Sequence, residues 1–148
     1  MKLRVEVQIN ASKEAIWNVI TNIENSPNVV AGIDKIEVLE KPKKGIVGLK
    51  WRETRTMFGK TATEVMWITD AIENESYKTR AESHGSVYVT TLSIVKLHDG
   101  AKLAMEFEGI PQTVGAKLMW TLTGFIFKNA TKKALMQDLL DIKAAVEN

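Results

Sequence analysis

Hydrophobic and polar residues alternate along most of this chain, which is typical of β-strands that bury one face. The alternation covers residues 2–9 and resumes from residue 36 to residue 110, interrupted there only by short polar segments. From Thr113 to Val146 the period changes to that of a helix, with no proline inside it. The pattern therefore predicts one strand, then a series of antiparallel strands, then one long C-terminal helix.

Two short helices are predicted after the first strand. Ser12 is a suitable N-cap, and the apolar spacing after it predicts a helix over residues 12–22. Ser26 and Pro27 repeat the start signal, and Gly32 suits the end of a second helix. Both helices are expected to lie beside the sheet.

Tight turns predict how the strands face. The predicted two-residue turns are Gly59-Lys60, Glu73-Asn74, His84-Gly85 and Asp99-Gly100. Together they place one set of side chains on a single covered face: Trp51, Met66, Ile68, Tyr88, Leu92, Met105 and Phe107. The opposite face, with Arg52, Arg80 and Lys102, is predicted to be exposed. Because a slip of one residue would reverse a strand, the agreement of four turns supports this assignment.

The long helix is expected to cover the sheet, giving an α+β fold with about seven antiparallel strands. The predicted inner stripe is Leu118, Leu122, Ile126, Ala130 and Ala134, followed by Leu135, Leu139, Ile142 and Val146. Gly124, Ala130 and Ala134 would face small strand residues such as Thr79, Ala81 and Thr90, which indicates a cavity. The alternative is a solid core filled by tryptophans, tyrosines and methionines.

The segment Leu118–Phe127 is apolar nearly all round and too short to cross a bilayer. One interpretation is burial against the sheet and the first helix. The other is that Met119, Trp120 and Phe127 form a gate where an apolar ligand enters or a membrane surface is touched.

The composition of the chain limits the kinds of functional site that it could contain. The 148 residues are 45% hydrophobic and 26% charged, as expected for a single globular domain over residues 1–148. The chain has no cysteine and two histidines, so we expect no disulfide, no metal site and no cofactor. The net charge of +2 is spread along the chain, which argues against nucleic acid as a partner. An alternating first segment differs from a secretion signal, and we expect a cytoplasmic protein without stable membrane insertion.

Three charged residues are predicted on the covered face: Glu53, Arg55 and Glu64. The predicted turn makes Arg55 and Glu64 direct cross-strand partners, with Glu53 two residues away. A carboxylate beside a guanidinium could accept a proton or anchor a polar ligand head. The alternative is an ion pair at the solvated end of a hairpin.

The whole chain resembles the START-like or SRPBCC superfamily, and especially its small polyketide cyclase/dehydrase branch with the helix-grip fold. The similar segments are Ile9–Val19, Gly48–Gly59, Ile68–Glu73, His98–Leu103 and Leu135–Glu147. Members of the superfamily bind lipids, polyketides, quinones or plant hormones, and a few are enzymes. The chain departs from the pattern at Asn74, where a proline is common.

The resemblance and the pattern together leave three functional hypotheses. The favoured one is a carrier of a small hydrophobic molecule, as a monomer or weak homodimer. The others are a cyclase or dehydratase using Glu53, Arg55 and Glu64, and a protein-interaction module with a solid core. The predicted ligand contacts are Trp51, Arg55, Met66, Tyr77, Tyr88, Thr90, Met105, Phe107, Met119 and Trp120.

Overall fold

A computed structural model describes residues 1–124 and 126–148 in full, and residue 125 by its backbone. The strands are β1 Lys2–Ile9, β2 Ile33–Glu40, β3 Lys50–Met57, β4 Lys60–Ile72, β5 Ser76–Ser83, β6 Ser86–Lys96 and β7 Ala101–Pro111. The helices are α1 Lys13–Ile20, α2 Ser26–Val29 and α3 Val114–Glu147, with a 3₁₀ turn at Ile23–Asn25.

All seven strands form one antiparallel sheet in the order β1-β7-β6-β5-β4-β3-β2. The sheet is curved, and α3 lies on its concave side, mainly against β1 and β7. This arrangement confirms the predicted α+β class and the helix-grip fold. No helix in the described part of the chain is long and apolar enough to cross a membrane.

Side-chain caps fix the starts of the two main helices. The Ser12 hydroxyl accepts a hydrogen bond from the Ala15 amide at 3.1 Å, and Thr113 caps α3 in the same way through the Ala116 amide. The start predicted at Ser12 is confirmed, but α1 ends at Ile20 and not at residue 22.

Two hairpins differ from the predicted register by two residues. Met57 pairs with Lys60, so the first turn is Phe58-Gly59, with φ of 54° and 76°. A turn with two positive φ angles matches the right-handed twist of the strands. The β6–β7 register also differs by two residues, but there the connection is longer than predicted, because Lys96 pairs with Ala101.

The predicted faces of β3 to β7 are nevertheless confirmed, since a shift of two residues keeps each side chain on its side of the sheet. In the β4–β5 hairpin, a bulge after Ile68 compensates for a loop one residue longer than predicted. The concave residues Trp51, Ile68, Leu92 and Met105 are buried, while Met66, Tyr88 and Phe107 are half-buried. Arg52 is exposed, and Arg80 and Lys102 are half-buried.

The predicted inner stripe of α3 is correct in its second half and wrong in its first. Leu139 and Ile142 are 0% and 6% exposed, whereas Leu118, Leu122 and Ile126 are 60%, 74% and 77% exposed. Trp120 and Gly124 lie on the inner side instead, in line with buried Thr131 further along. Because residues 118–127 are apolar nearly all round, periodicity alone could not identify their inner face.

Candidate functional site

The concave side of the sheet has two halves that differ in how they are filled. In the closed half, beside the β4–β5 and β6–β7 turns, α1 and the end of α3 cover the sheet. The largest fully buried side chains there are Ile9, Ile16, Ile68, Ile94, Leu103 and Leu139. Tyr77 also lies there, where its hydroxyl donates to the Ile20 carbonyl at 2.9 Å and its ring meets Trp17 edge-on. Each large apolar side chain buried in this way contributes roughly 1.5–3 kcal/mol to stability.

The open half lies beside the β3–β4 and β5–β6 turns, under the first half of α3. Three aromatic side chains line it, which we call the aromatic trio: Phe107, Tyr88 and Trp120. The Tyr88 ring stacks on Phe107 with centroids 5.7 Å apart and lies 6.3 Å from the Trp120 ring at a 30° tilt. All three are half-buried, so part of each aromatic surface is accessible.

A cross-strand row of concave residues leads up to the trio. Met66 pairs with Ala81, Ala81 with Tyr88, and Tyr88 with Gly109. A Cβ added to Gly109 would lie 2.1 Å from Cη2 of Trp120. Because Gly109 has no side chain, the Trp120 ring can pack directly against the backbone of β7 at this position. The small side chain of Ala81 leaves space between Met66 and Tyr88.

Empty space lies next to Trp120 on the inner side of α3. A Cβ added to Gly124, one helical turn after Trp120, would meet no atom of the described residues within 4 Å. Met66 and Thr90 on the facing strands are half-buried. The first half of α3 and the facing strands thus leave open space beside Trp120. We call the concave surface around this space the aromatic cleft; it is formed by Trp120, Tyr88, Phe107, Met66 and Thr90.

Two surface pockets lie elsewhere, away from the aromatic cleft. One, of about 170 Å³, is bordered by Ile23, Pro42 and Leu49, and another of about 540 Å³ lies among Gln8, Asn10, Asp99 and Lys143. The second is lined by polar side chains only, and neither touches a residue of the aromatic trio.

A cluster of three charged residues links β3 to α3 on the concave side, in the half of the sheet beside the β3–β4 turn. The Arg55 guanidinium donates from Nη1 to both Asp138 oxygens, at 3.1 and 2.9 Å, and from Nε to Glu53 at 3.3 Å. Glu53 also accepts from Trp51 Nε1 at 3.4 Å. The side chains of Arg55, Glu53 and Asp138 are 22%, 11% and 10% exposed. This charged cluster joins β3 to α3 and has little contact with solvent.

The predicted partner of Arg55 is corrected by the register. Arg55 pairs with Ala62, and Glu64 pairs with Glu53. The shift of two residues moves Glu64 away from the guanidinium, and Asp138 takes its place. Sequence reasoning missed Asp138, although an acid between Leu135 and Leu139 on an apolar helix face was a usable signal.

Burial perturbs the ionisation of these groups. Burial raises the pKa of Asp138 to about 6, and repulsion by Glu53 and Asp141 adds to the shift, while Arg55 opposes it. Burial lowers the pKa of Arg55, but attraction to Asp138 and Glu53 outweighs it, so that this pKa is raised. At neutral pH both partners are charged and form an ion pair.

Glu64 is an acid whose charge acts on Tyr88 in the aromatic cleft. Burial raises its pKa, and repulsion by Glu53 adds to the effect, whereas His84, Ser83 and Arg55 oppose it. The Glu64 charge in turn adds to the burial that raises the pKa of the half-buried Tyr88. An acid that holds its proton more tightly than usual therefore lies within electrostatic range of an accessible phenol.

The predicted ligand contacts fall into three groups. Trp51, Tyr77 and Met105 belong to the closed half. A second group borders the aromatic cleft and comprises Met66, Tyr88, Thr90, Phe107 and Trp120, whereas Arg55 belongs to the charged cluster between β3 and α3. Met119 is 58% exposed, on the flank of α3. Among the fully described residues, no group of three or more histidine, aspartate or glutamate side chains could hold a metal ion.

We expect the raised pKa of Asp138 to make stability depend on pH. The folded state holds this proton more tightly than the unfolded chain, so its contribution is complete below about pH 4 and is lost as pH rises through about 6. Asp138→Asn cannot titrate at this position and serves as the reference. The stability advantage of the wild type over Asp138→Asn should fall by up to about 3 kcal/mol between pH 4 and 7. Urea melts at several pH values test this, and parallel curves for the two proteins would contradict it.

Comparisons with known proteins agree with this geometry. A family model described as "Polyketide cyclase / dehydrase and lipid transport" matches residues 1–147. No curated protein matches the sequence significantly.

Several solved structures share the fold at low sequence identity. A protein of Thermus thermophilus has a TM-score of 0.81 at 14% identity, covering 99% of this chain and 97% of its own. The Zhui aromatase/cyclase of a Streptomyces species has a TM-score of 0.80 at 13% identity, covering 99% of this chain and 93% of its own. A START superfamily protein of Mycobacterium smegmatis has a TM-score of 0.69 at 19% identity, covering 95% and 98%. With the family model matched over nearly the full length, the chain belongs to the polyketide cyclase/dehydrase and lipid transport family of the START-like, or SRPBCC, superfamily.

Proposed function

We propose that the protein binds a small, flat, apolar molecule in the aromatic cleft. The observation that carries the proposal is the empty space facing Gly124 beside the half-buried aromatic trio. Concave sites with aromatic walls and few polar groups are the usual binding places for small molecules. Native proteins seldom leave such surface uncovered without a function.

The chemistry of the walls favours an aromatic or quinone-like ligand. Tyr88 and Phe107 present stacked ring faces, and Met66 adds a polarizable thioether in the same row. Arg55 is already paired with two carboxylates, so an anionic ligand head would have to compete with Asp138 and Glu53. We therefore place the ligand against the trio and assign the charged cluster to positioning α3.

Substituting the two open-facing glycines of α3 provides a matched test. Gly124→Phe adds a side chain inside the cleft, whereas Gly115→Phe adds the same side chain on the outer face, where no described atom lies within 4 Å. We expect Gly124→Phe to weaken binding by about tenfold or more, equivalent to about 1.4 kcal/mol, and Gly115→Phe to leave it unchanged. Both should fold at least as stably as the wild type, because glycine is unfavourable inside helices.

Fluorescence titrations with a fatty acid, a quinone and a polycyclic aromatic phenol would measure this binding. Trp17 and Trp51 are buried in the closed half, and Trp67 lies on the opposite face of the sheet beside Lys50 and Arg80. Trp120 is therefore the tryptophan expected to report on the cleft. The proposal fails if none of the three probes alters the fluorescence, or if the two glycine variants bind equally well.

Cyclase or dehydratase chemistry is the second candidate, and Glu64 is the observation that favours it. A carboxyl with a raised pKa near Tyr88 can exchange a proton with a ligand held by the trio. Some proteins of the same fold are aromatase/cyclases by name. If the protein is an enzyme, Glu64→Gln should abolish turnover of an aromatic precursor while leaving its binding intact.

A further inference from the structure

The outer face of the first half of α3 is apolar and exposed. Its exposed side chains recur every fourth residue as Val114, Leu118, Leu122 and Ile126, with exposed fractions of 83%, 60%, 74% and 77%. We call this line of residues the outer stripe. At 1.5 Å per residue it is about 18 Å long. Single exposed apolar residues are common on protein surfaces, but a continuous line of this length marks a place where something binds.

The charges around the outer stripe have one sign. Residues 109–137 contain four lysines and no acidic residue, although the whole chain has 20 basic and 18 acidic residues. Those lysines are Lys117, Lys128, Lys132 and Lys133, and all four are exposed. Lys132 and Lys133 come in the second turn after Ile126, so positive charge continues the stripe along the helix.

We propose that the outer stripe docks on the surface of a lipid bilayer that contains anionic lipids. The helix would lie parallel to the surface, with the stripe at the level of the acyl chains and the lysines against the headgroups, as in amphipathic interfacial helices. Met119 and Phe127, which are 58% and 51% exposed, widen the apolar surface on one side. The proposal concerns the outer face of α3 and does not depend on the ligand assigned to its inner face.

The positive charge of this segment favours an anionic bilayer over a second copy of the chain as the partner. Two copies pairing through this segment would bring lysines only against lysines, because residues 109–137 offer no acid to either copy. An anionic bilayer complements the same four charges and covers the apolar stripe as well.

Vesicle co-sedimentation with the full chain tests the proposal. We expect the wild type to bind vesicles of phosphatidylcholine containing one third phosphatidylserine at least about tenfold more tightly than vesicles of phosphatidylcholine alone. Added salt should weaken this binding, because it screens the lysines. The double variant Leu118→Glu/Leu122→Glu should lose about tenfold or more, and Lys132→Gln/Lys133→Gln should lose preference for the anionic vesicles.

Ile72→Glu is the matched control, because Ile72 is 64% exposed at the far end of the sheet. It should bind vesicles like the wild type. Equal binding by Leu118→Glu/Leu122→Glu and the wild type, or no binding by wild type to the anionic vesicles, would overturn the proposal. So would a lipid-free dimer, seen by sedimentation velocity, that Leu118→Glu/Leu122→Glu abolishes, since the stripe would then belong to a second copy. Circular dichroism of each variant verifies folding, and the lysine pair gives an independent answer if a glutamate variant misfolds.

Discussion

Arg55→Ala is expected to lower the free energy of unfolding by about 3–5 kcal/mol, the range seen when one partner of a buried ion pair is removed. The substitution leaves the Asp138 and Glu53 carboxylates, at 10% and 11% exposure, without their guanidinium. It also removes the ionic link between β3 and α3. Because Asp138 has a pKa of about 6 even with Arg55 present, protonation can relieve the uncompensated charge. The loss should therefore be smaller at pH 5 than at pH 8.

A double variant distinguishes a missing partner from missing contacts. In Arg55→Met/Asp138→Leu, both members of the closest pair become apolar side chains of similar length. Replacing a buried ion pair in this way is often neutral or stabilising, so we expect the share of the loss that comes from Asp138 to return. The share that comes from Glu53 remains, because Glu53 still lacks its guanidinium. Urea melts of the wild type, both single variants and the double variant complete the cycle. A double variant as unstable as the sum of the two single variants would show that the pair is not coupled.

Gly100→Ala is expected to cost about 3–4 kcal/mol of stability, from backbone strain and overpacking together. Gly100 has φ of +82°, and a Cβ there would lie 2.2 Å from the Ile9 carbonyl oxygen and 3.1 Å from Asn10 Cα. These are backbone atoms at the end of β1, which cannot rotate away as a side chain could. The β6–β7 turn and the end of β1 would have to separate.

Gly59→Ala is the matched control for strain alone. Gly59 has a similar φ of +76°, but a Cβ there would meet no described atom within 4 Å. It should cost about 1–2 kcal/mol, the penalty for a left-handed residue that carries a side chain. The difference between the two variants in thermal or urea melts measures the contact with β1. Equal losses of stability in Gly100→Ala and Gly59→Ala would mean that the β6–β7 turn moves to accommodate the added methyl group at no cost.

The sequence allowed the faces of the strands to be predicted but not their pairing. A period of two residues identifies the side of the sheet, and a register error of two residues leaves that side unchanged. The β3–β4 hairpin shows this, because Arg55 was placed on the correct face beside the wrong partner. Correct pairing depended on the turn Phe58-Gly59, in which a non-glycine residue adopts a positive φ.

The site depended on contacts between distant segments, which an alternating pattern does not encode. Asp138 reaches Arg55 across 83 positions of sequence. Trp120 is among the predicted contacts, but its packing against Gly109 depends on the position of α3 relative to β7, which the sequence pattern does not encode. The inner face of α3 was predicted correctly around Leu139, where apolar residues occupy one side, and incorrectly around Leu122, where they occupy nearly all sides.

The division of α3 into a covered and an uncovered half has a consequence for how this protein can evolve. Leu139 and Ile142 are the apolar residues of α3 that are buried in the core, so substitutions near them are constrained by the need to fold. Gly124 and its neighbours in the first half contribute few core contacts, and substitutions there should have small stability costs. New specificities can therefore arise in one half of a single helix while the other half keeps the fold above its stability threshold.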